Sequence, residues 1–353
     1  YGQSEWIRLG DGGTPTDPNG IVCMPMANPG IGTYELRLRV NRNGFTHIDR
    51  KFFGIELAPS QAHWPKPDET VDPLEGYEYF IGSPLCTDVT GDGSNEIVQL
   101  SLDFSTYFGS GLVDIWTADG NSLDGWPVDM EYIWPTSAAV GDIDGDGDYE
   151  VVVASEYDAA VSAYHVESGE LVDGDWPAMV GGWYGYISAG PVLADLDGDG
   201  DSEIIVALDE ESRDTDGLYA IQHDGSFMWQ RRYTSEGPVS VADLDRDGDV
   251  EIALCGYGPG LSRVYTFVLD HQGQQLARWR GGSPKGPAVA DLDNDGEPEI
   301  VFCTEGEIMA THADGSTLWT TKVSDPLEED GALSVGDIDD DGYSEVYITT
   351  YIV

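Results

Sequence analysis

An acidic nine-residue segment recurs six times along the chain, at residues 88–96, 142–150, 195–203, 243–251, 291–299 and 337–345. The third reads Asp-Leu-Asp-Gly-Asp-Gly-Asp-Ser-Glu, and the others keep its plan of Asp at positions 1 and 5, Gly at 6 and Glu at 9, with Asp at 3 in all but the first. Alternate side chains of such a loop converge on one point. The glycine permits the turn, the carbonyl of position 7 can face inward, and the last carboxylate closes the shell, as in a shortened EF-hand loop. Hard oxygen donors without His or Cys suit Ca²⁺ better than zinc or copper, and Mg²⁺ prefers a strict, water-rich octahedron.

The expected ligands are Asp88, Thr90, Asp92, Ser94 and Glu96 in the first loop, and Asp142, Asp144, Asp146, Asp148 and Glu150 in the second. The third offers Asp195, Asp197, Asp199, Asp201 and Glu203, and the fourth Asp243, Asp245, Asp247, Asp249 and Glu251. The fifth offers Asp291, Asp293, Asp295, Glu297 and Glu299, and the sixth Asp337, Asp339, Asp341, Tyr343 and Glu345. About six calcium ions are expected. A single Asp/Gly-rich turn with solvated carboxylates would look the same, but six in register do not arise that way. Four or five carboxylates packed together also repel strongly without a cation. Thr90 makes the first loop the poorest site. Position 4 varies (Gly, Gly, Gly, Arg246, Asn294, Asp340), as expected of a side chain pointing away from the ion.

The elements that position these loops follow from the repeat. The first aspartates lie 46 to 54 residues apart. Each loop stands between a small-and-apolar run, such as residues 190–194, and a β-branched run, such as residues 204–207. Two more runs follow, joined by a Gly turn (residues 118–120, 223–226, 272–273 and 313–315) with a Trp soon after. Four short strands in about 50 residues, repeated, are the mark of a β-propeller blade. The fold class is all-β, a propeller of four-stranded blades. Chain length predicts seven blades, the seventh from residues 20–65, with runs near 21–27, 34–40 and 46–57. Six blades closed by an N-terminal hairpin is the alternative. Residues 1–79 are read as a closing strand plus a metal-free blade, and 80–353 as six calcium-loop blades.

With 66 acidic against 16 basic residues the net charge is −50, which repels phosphate backbones and anionic bilayers and excludes nucleic acid as a partner. A hydrophobic share of 40% excludes a disordered acidic tail, and no apolar stretch is long enough for a spanning helix, so direct membrane insertion is not expected. The four cysteines show no CxxC spacing, which removes zinc ribbons and redox pairs.

The acidic loops resemble those of FG-GAP/VCBS-type repeats, found in the seven-bladed propeller of integrin α-chains and in many secreted bacterial proteins. The resemblance covers roughly residues 80–353. It implies a calcium loop joining the first two strands of each blade. It is weak for function, because the family includes adhesion modules, lectins and some polysaccharide lyases.

Catalysis needs residues that break the repeat, and few do. His223, His271 and His312 precede the turn glycines and read as turn residues. No nucleophile elbow, HExxH or phosphate-cradling loop occurs, and cations able to neutralise a uronate are scarce. A recognition, adhesion or scaffold module is the expected function; a lyase-like polysaccharide-active enzyme is the alternative. In a propeller the metal loops share a face with the turns between third and fourth strands. The opposite face then carries Trp134, Trp183, Tyr184 and Tyr186, the candidate contacts for a glycan or protein ligand, with self-assembly also open. Trp126, Trp176, Trp229, Trp279 and Trp319 are assigned to packing between blades. Weak extracellular-type calcium sites and a start at Tyr1 predict a processed, secreted or cell-surface protein, which permits a Cys23–Cys86 disulfide.

Overall fold

The structure is a computed structural model. It describes all residues except 1–31, 43–44, 56–77, 104–109, 131–134, 156–158, 182–184, 188, 211–216, 236, 283–285, 305, 323–332, 338–341 and 349–353. The chain forms two compact units, Tyr1–Trp64 and Pro65–Val353. The first holds an antiparallel hairpin of Gly32–Arg42 and Phe45–Ile55, which coincides with two of the strand runs expected in residues 20–65. The third expected run, 21–27, lies outside the described residues.

The second unit contains no helix among its described residues. It is a series of antiparallel sheets in chain order, each with neighbouring strands paired in sequence. The first sheet comprises Glu78–Thr87, Glu96–Asp103, Ser110–Trp116 and Val128–Asp129. The second comprises Pro135–Gly141, Glu150–Ser155, Ala160–His165 and Ala178–Met179. The third runs from Gly185–Tyr186 and Val192–Ala194 through Glu203–Glu210 and Gly217–Ile221 to Phe227–Arg231. The fourth runs from Thr234–Ser235 and Ser240–Ala242 through Glu251–Tyr257 and Tyr265–Leu269 to Gln275–Arg280. The fifth has Ala288–Ala290, Glu299–Thr304, Glu307–Thr311 and Thr317–Lys322; the sixth is described as the pair Leu333–Gly336 and Glu345–Ile348.

Two relationships make these sheets blades of a propeller. The first strands of successive sheets adjoin one another along the series, as innermost strands around an axis do. The cores also lie between sheets rather than within them. Val98, Val113 and Ile115 of the first blade pack with Val151 and Val153 of the second, and Val152 and Val161 of the second pack with Ile204 and Val206 of the third. Second strands are therefore covered on both faces, which explains their unbroken apolar runs: residues 150–155 are all buried.

The innermost strands are not continuous in the first four blades. Pairing shifts between Ile81 and Leu85 and between Pro135 and Ala138. In the third and fourth blades the strand is cut into two pieces that both pair with the same neighbour. Extra residues here are bulges that bend the strand away from the ladder.

Trp126, Trp176 and Trp229 join blades as expected. Each indole N–H of a blade's closing segment donates to a carbonyl of the next blade: Trp126 to Val166 (2.7 Å), Trp176 to His223 (3.1 Å) and Trp229 to His271 (3.1 Å). Trp279 lies against Phe302 of the following blade, with ring centroids 5.6 Å apart. Trp319 packs on the cluster shared with Leu333 and Val346.

Candidate metal centres

Each acidic loop joins the first and second strands of its blade, and the ninth residue is the first residue of the second strand at Glu96, Glu150, Glu203, Glu251, Glu299 and Glu345. One set of hydrogen bonds shapes the loops. The amide of the position-6 glycine donates to the first aspartate in all six, from Gly93 to Asp88 (2.8 Å) through Gly342 to Asp337 (2.9 Å). In the first five, the position-7 amide donates to the position-5 aspartate, as from Asp148 to Asp146 at 2.9 Å. The amide of position 2 donates to Oε2 of the glutamate, as from Leu196 to Glu203 at 2.7 Å.

These bonds leave particular oxygens over. Asp142, Asp243 and Asp291 each keep a buried Oδ1, and Glu203 and Glu299 a buried Oε1, without a hydrogen-bond partner. A buried carboxylate oxygen left unsatisfied is costly. Here each stands in a cluster of like charge. Oxygens of Asp142, Asp144 and Asp146 lie within 4.8 Å of one another, as do those of Asp195, Asp197 and Asp199, of Asp243, Asp245 and Glu251, and of Asp291, Asp293 and Asp295. At Asp142, Asp243, Asp291, Glu203 and Glu299 one oxygen is held by a backbone amide and the other is left over within the acidic loop. The donor set fits a hard divalent cation.

Burial acts on the glutamates in the absence of a cation. Desolvation raises Glu203 and Glu251 to about 7, and the aspartates of their own loops add to the rise. Desolvation likewise raises Glu150 to about 6, opposed by the amide of Ile143 and the ring of His165, and it raises Glu299.

The first loop differs. Thr90 Oγ1 donates weakly to Glu96 Oε2 (3.4 Å), while both oxygens of Asp88 accept amides, from Asp92 and Gly93, as those of Asp195 do in the third loop. A cavity of about 580 Å³ opens between it and the second loop, lined by Asp88, Thr90, Asp148, Tyr149 and Glu167 among others.

Position 4 varies in residue type as expected, but its backbone is constrained. Its residue has positive φ at Gly91, Gly145 and Gly198 and also at Arg246 and Asn294 (both 60°), a left-handed backbone that favours Gly and Asn. The side chains there reach the next blade: Asn294 Nδ2 donates to the Gly342 carbonyl (2.8 Å), and Arg246 to Asp295 and Gly296. One sequence reading is corrected: the histidines are not only turn residues. His165 and His312 bring Nδ1 to the ninth carboxylates Glu150 and Glu299 (3.1 and 3.0 Å), while His223 and His271 reach the position-7 aspartates Asp201 and Asp249 (3.1 and 3.5 Å). These contacts place the turns between third and fourth strands beside the acidic loops.

Asp339 and Asp341 lie outside the described residues, as do Trp134, Trp183 and Tyr184; Tyr186 is described through its backbone, which pairs with Asp209. Cys86 is exposed and free, and Cys23, its expected partner, lies outside the described residues.

The FG-GAP-like repeat family matches residues 142–206, 195–254 and 243–302, each match beginning on the first aspartate of a loop. Residues 142–302 thus carry FG-GAP-like repeats, set on successive blades of a β-propeller. Among solved structures the chain is similar to the Vibrio cholerae biofilm matrix protein Bap1, at 22% identity and a TM-score of 0.50, over 74% of this chain and 42% of that one. It is also similar to a rhamnogalacturonan lyase of family PL11 from Bacillus licheniformis, at 19% identity and a TM-score of 0.54, over 89% of this chain and 63% of that one. The chain thus spans less than two thirds of either. Comparison with curated proteins gave no match.

Proposed function

We propose that this chain is an extracellular, secreted or cell-surface propeller, held by calcium and acting as a recognition, adhesion or scaffold module. The observation that carries the reading is the repeated division of labour within the loops: one carboxylate oxygen fixed by a backbone amide, another buried and unpartnered inside an acidic cluster. Native-state metal binding adds stability at every occupied site. Melting should fall by many degrees on thorough chelation and recover with Ca²⁺ far better than with Mg²⁺. An unchanged melting temperature would overturn the calcium assignment.

Recognition is assigned to the face opposite the metal loops, where connections differ from blade to blade, because irregular loops on a rigid repeat are where binding concentrates. The proposed ligand is a glycan or protein, met by Trp134, Trp183, Tyr184 and Tyr186. Replacing Trp134 and Trp183 with Ala should leave melting within about two degrees while removing binding to a glycan selected on an array in the presence of Ca²⁺. Loss of folding would assign these rings to packing instead. The likeness to a polysaccharide lyase favours a second reading, a secreted polysaccharide-active enzyme. Release of unsaturated sugar products from an array hit would decide for it.

A further inference from the structure

The fifth blade departs from the other loops in one respect that bears on which cation it holds. In the second blade, His165 Nδ1 and Glu150 Oε1 form a hydrogen bond at 3.1 Å. In the fifth, His312 Nδ1 and Glu299 Oε1 stand at 3.0 Å, yet Glu299 Oε1 has no hydrogen-bond partner. The two atoms are close but are not aimed at each other. Glu299 is fully buried, and its other oxygen is taken by the amide of Leu292 at 2.8 Å. An oxygen of Asp293 completes the group, with all three donor atoms within 4.8 Å of one another.

We infer that the fifth loop takes a first-row transition cation of the zinc class through His312 Nδ1, Glu299 Oε1 and Asp293. The donor types set it apart from calcium. Calcium sites are built from oxygen, whereas an imidazole nitrogen beside carboxylates suits Zn²⁺, Co²⁺ or Ni²⁺. Asp293 also belongs to the cluster with Asp291 and Asp295, so the two kinds of ion compete for this one loop. This rests on the reading of the loops as metal sites.

The test is equilibrium dialysis of the full chain against millimolar Ca²⁺ with micromolar Co²⁺, followed by metal analysis and visible absorption. Wild type should retain roughly one Co²⁺ per chain with a d–d band, as expected for a mixed nitrogen–oxygen site. His312→Ala and the more conservative His312→Asn should lose it, while His165→Ala, His223→Ala and His271→Ala keep it. Absence of Co²⁺ retention by wild type overturns the inference, as does equal retention by folded His312 variants or loss in any of the other three. Calcium bound in parallel dialysis without Co²⁺ reports on the loops as a whole. A chain that binds calcium but no Co²⁺ defeats only the inference, and one that binds Co²⁺ but no calcium defeats only the calcium reading.

Discussion

Arg246 and Gly296 tie one acidic loop to the next: the guanidinium Nε donates to the glycine carbonyl at 2.6 Å, and Nη2 donates to the adjoining Asp295 carbonyl at 3.0 Å. Arg246 does this from a left-handed backbone with φ of 60°, where its counterparts in the first three loops are glycine. A strained residue is held in place by the bonds it makes.

Two substitutions separate the strain from the bonds. Arg246→Ala keeps the positive φ and loses both hydrogen bonds; Arg246→Gly loses the same bonds and relieves about 1 kcal/mol of backbone strain. The alanine variant should be the less stable of the two by about that amount in urea unfolding with calcium present. Equal stability, or a more stable alanine variant, would remove the strain argument.

Trp126 tests the joints between blades. Its ring is buried and its N–H meets the Val166 carbonyl in the following blade. Trp126→Ala removes a large buried ring and should cost about 3–5 kcal/mol. Trp126→Phe keeps most of the packing, leaves the carbonyl unpaired and should cost about 1–3 kcal/mol. Fluorescence-monitored unfolding reads both, and a Phe variant as damaged as Ala would show that the hydrogen bond, not the bulk of the ring, joins the blades.

What the sequence made legible follows from where each constraint lives. The loop motif is local, so its ninth residue marks the start of every second strand, from Glu96 to Glu345. The inter-blade tryptophans were legible because they recur at one place in the repeat. The breaks in the innermost strands were not, since a run such as residues 190–194 reads the same whether or not a bulge interrupts it. The histidine contacts were hidden for another reason: His223 meets Asp201 only once two strands have folded back on each other. Three glycines and an asparagine at position 4 did signal a left-handed turn, but Arg246 in the same place masked it.

Thr90 offers a gain of function. Thr90→Asp would add a fourth carboxylate to Asp88, Asp92 and Glu96, restoring the Asp at position 3 that the other loops have. Without metal the added charge should lower melting through repulsion. With calcium the improved site should raise it above wild type, so the gap between chelated and loaded melting temperatures widens. A gap identical to that of wild type would mean that the first loop does not bind at all.

The buried glutamates give metal-free protein an unusual dependence on pH. Glu203 and Glu251 titrate near 7 in the folded chain because burial disfavours their charge, against 4.5 as the ordinary value. Between those values the native state holds protons that the unfolded chain has released, so stability falls as pH rises through the window. A bound cation reverses this, because it needs the carboxylate form and is displaced by protons. Metal-stripped protein should therefore show a lower urea midpoint at pH 8 than at pH 5.5, and calcium-loaded protein a higher one. The net charge of −50 pushes metal-free protein the same way, so a variant isolates the buried group. Glu203→Gln cannot ionise, and without metal it should gain on wild type steadily from pH 5 to pH 8. If the difference between Glu203→Gln and wild type stayed constant over that range, Glu203 would not be the group that titrates.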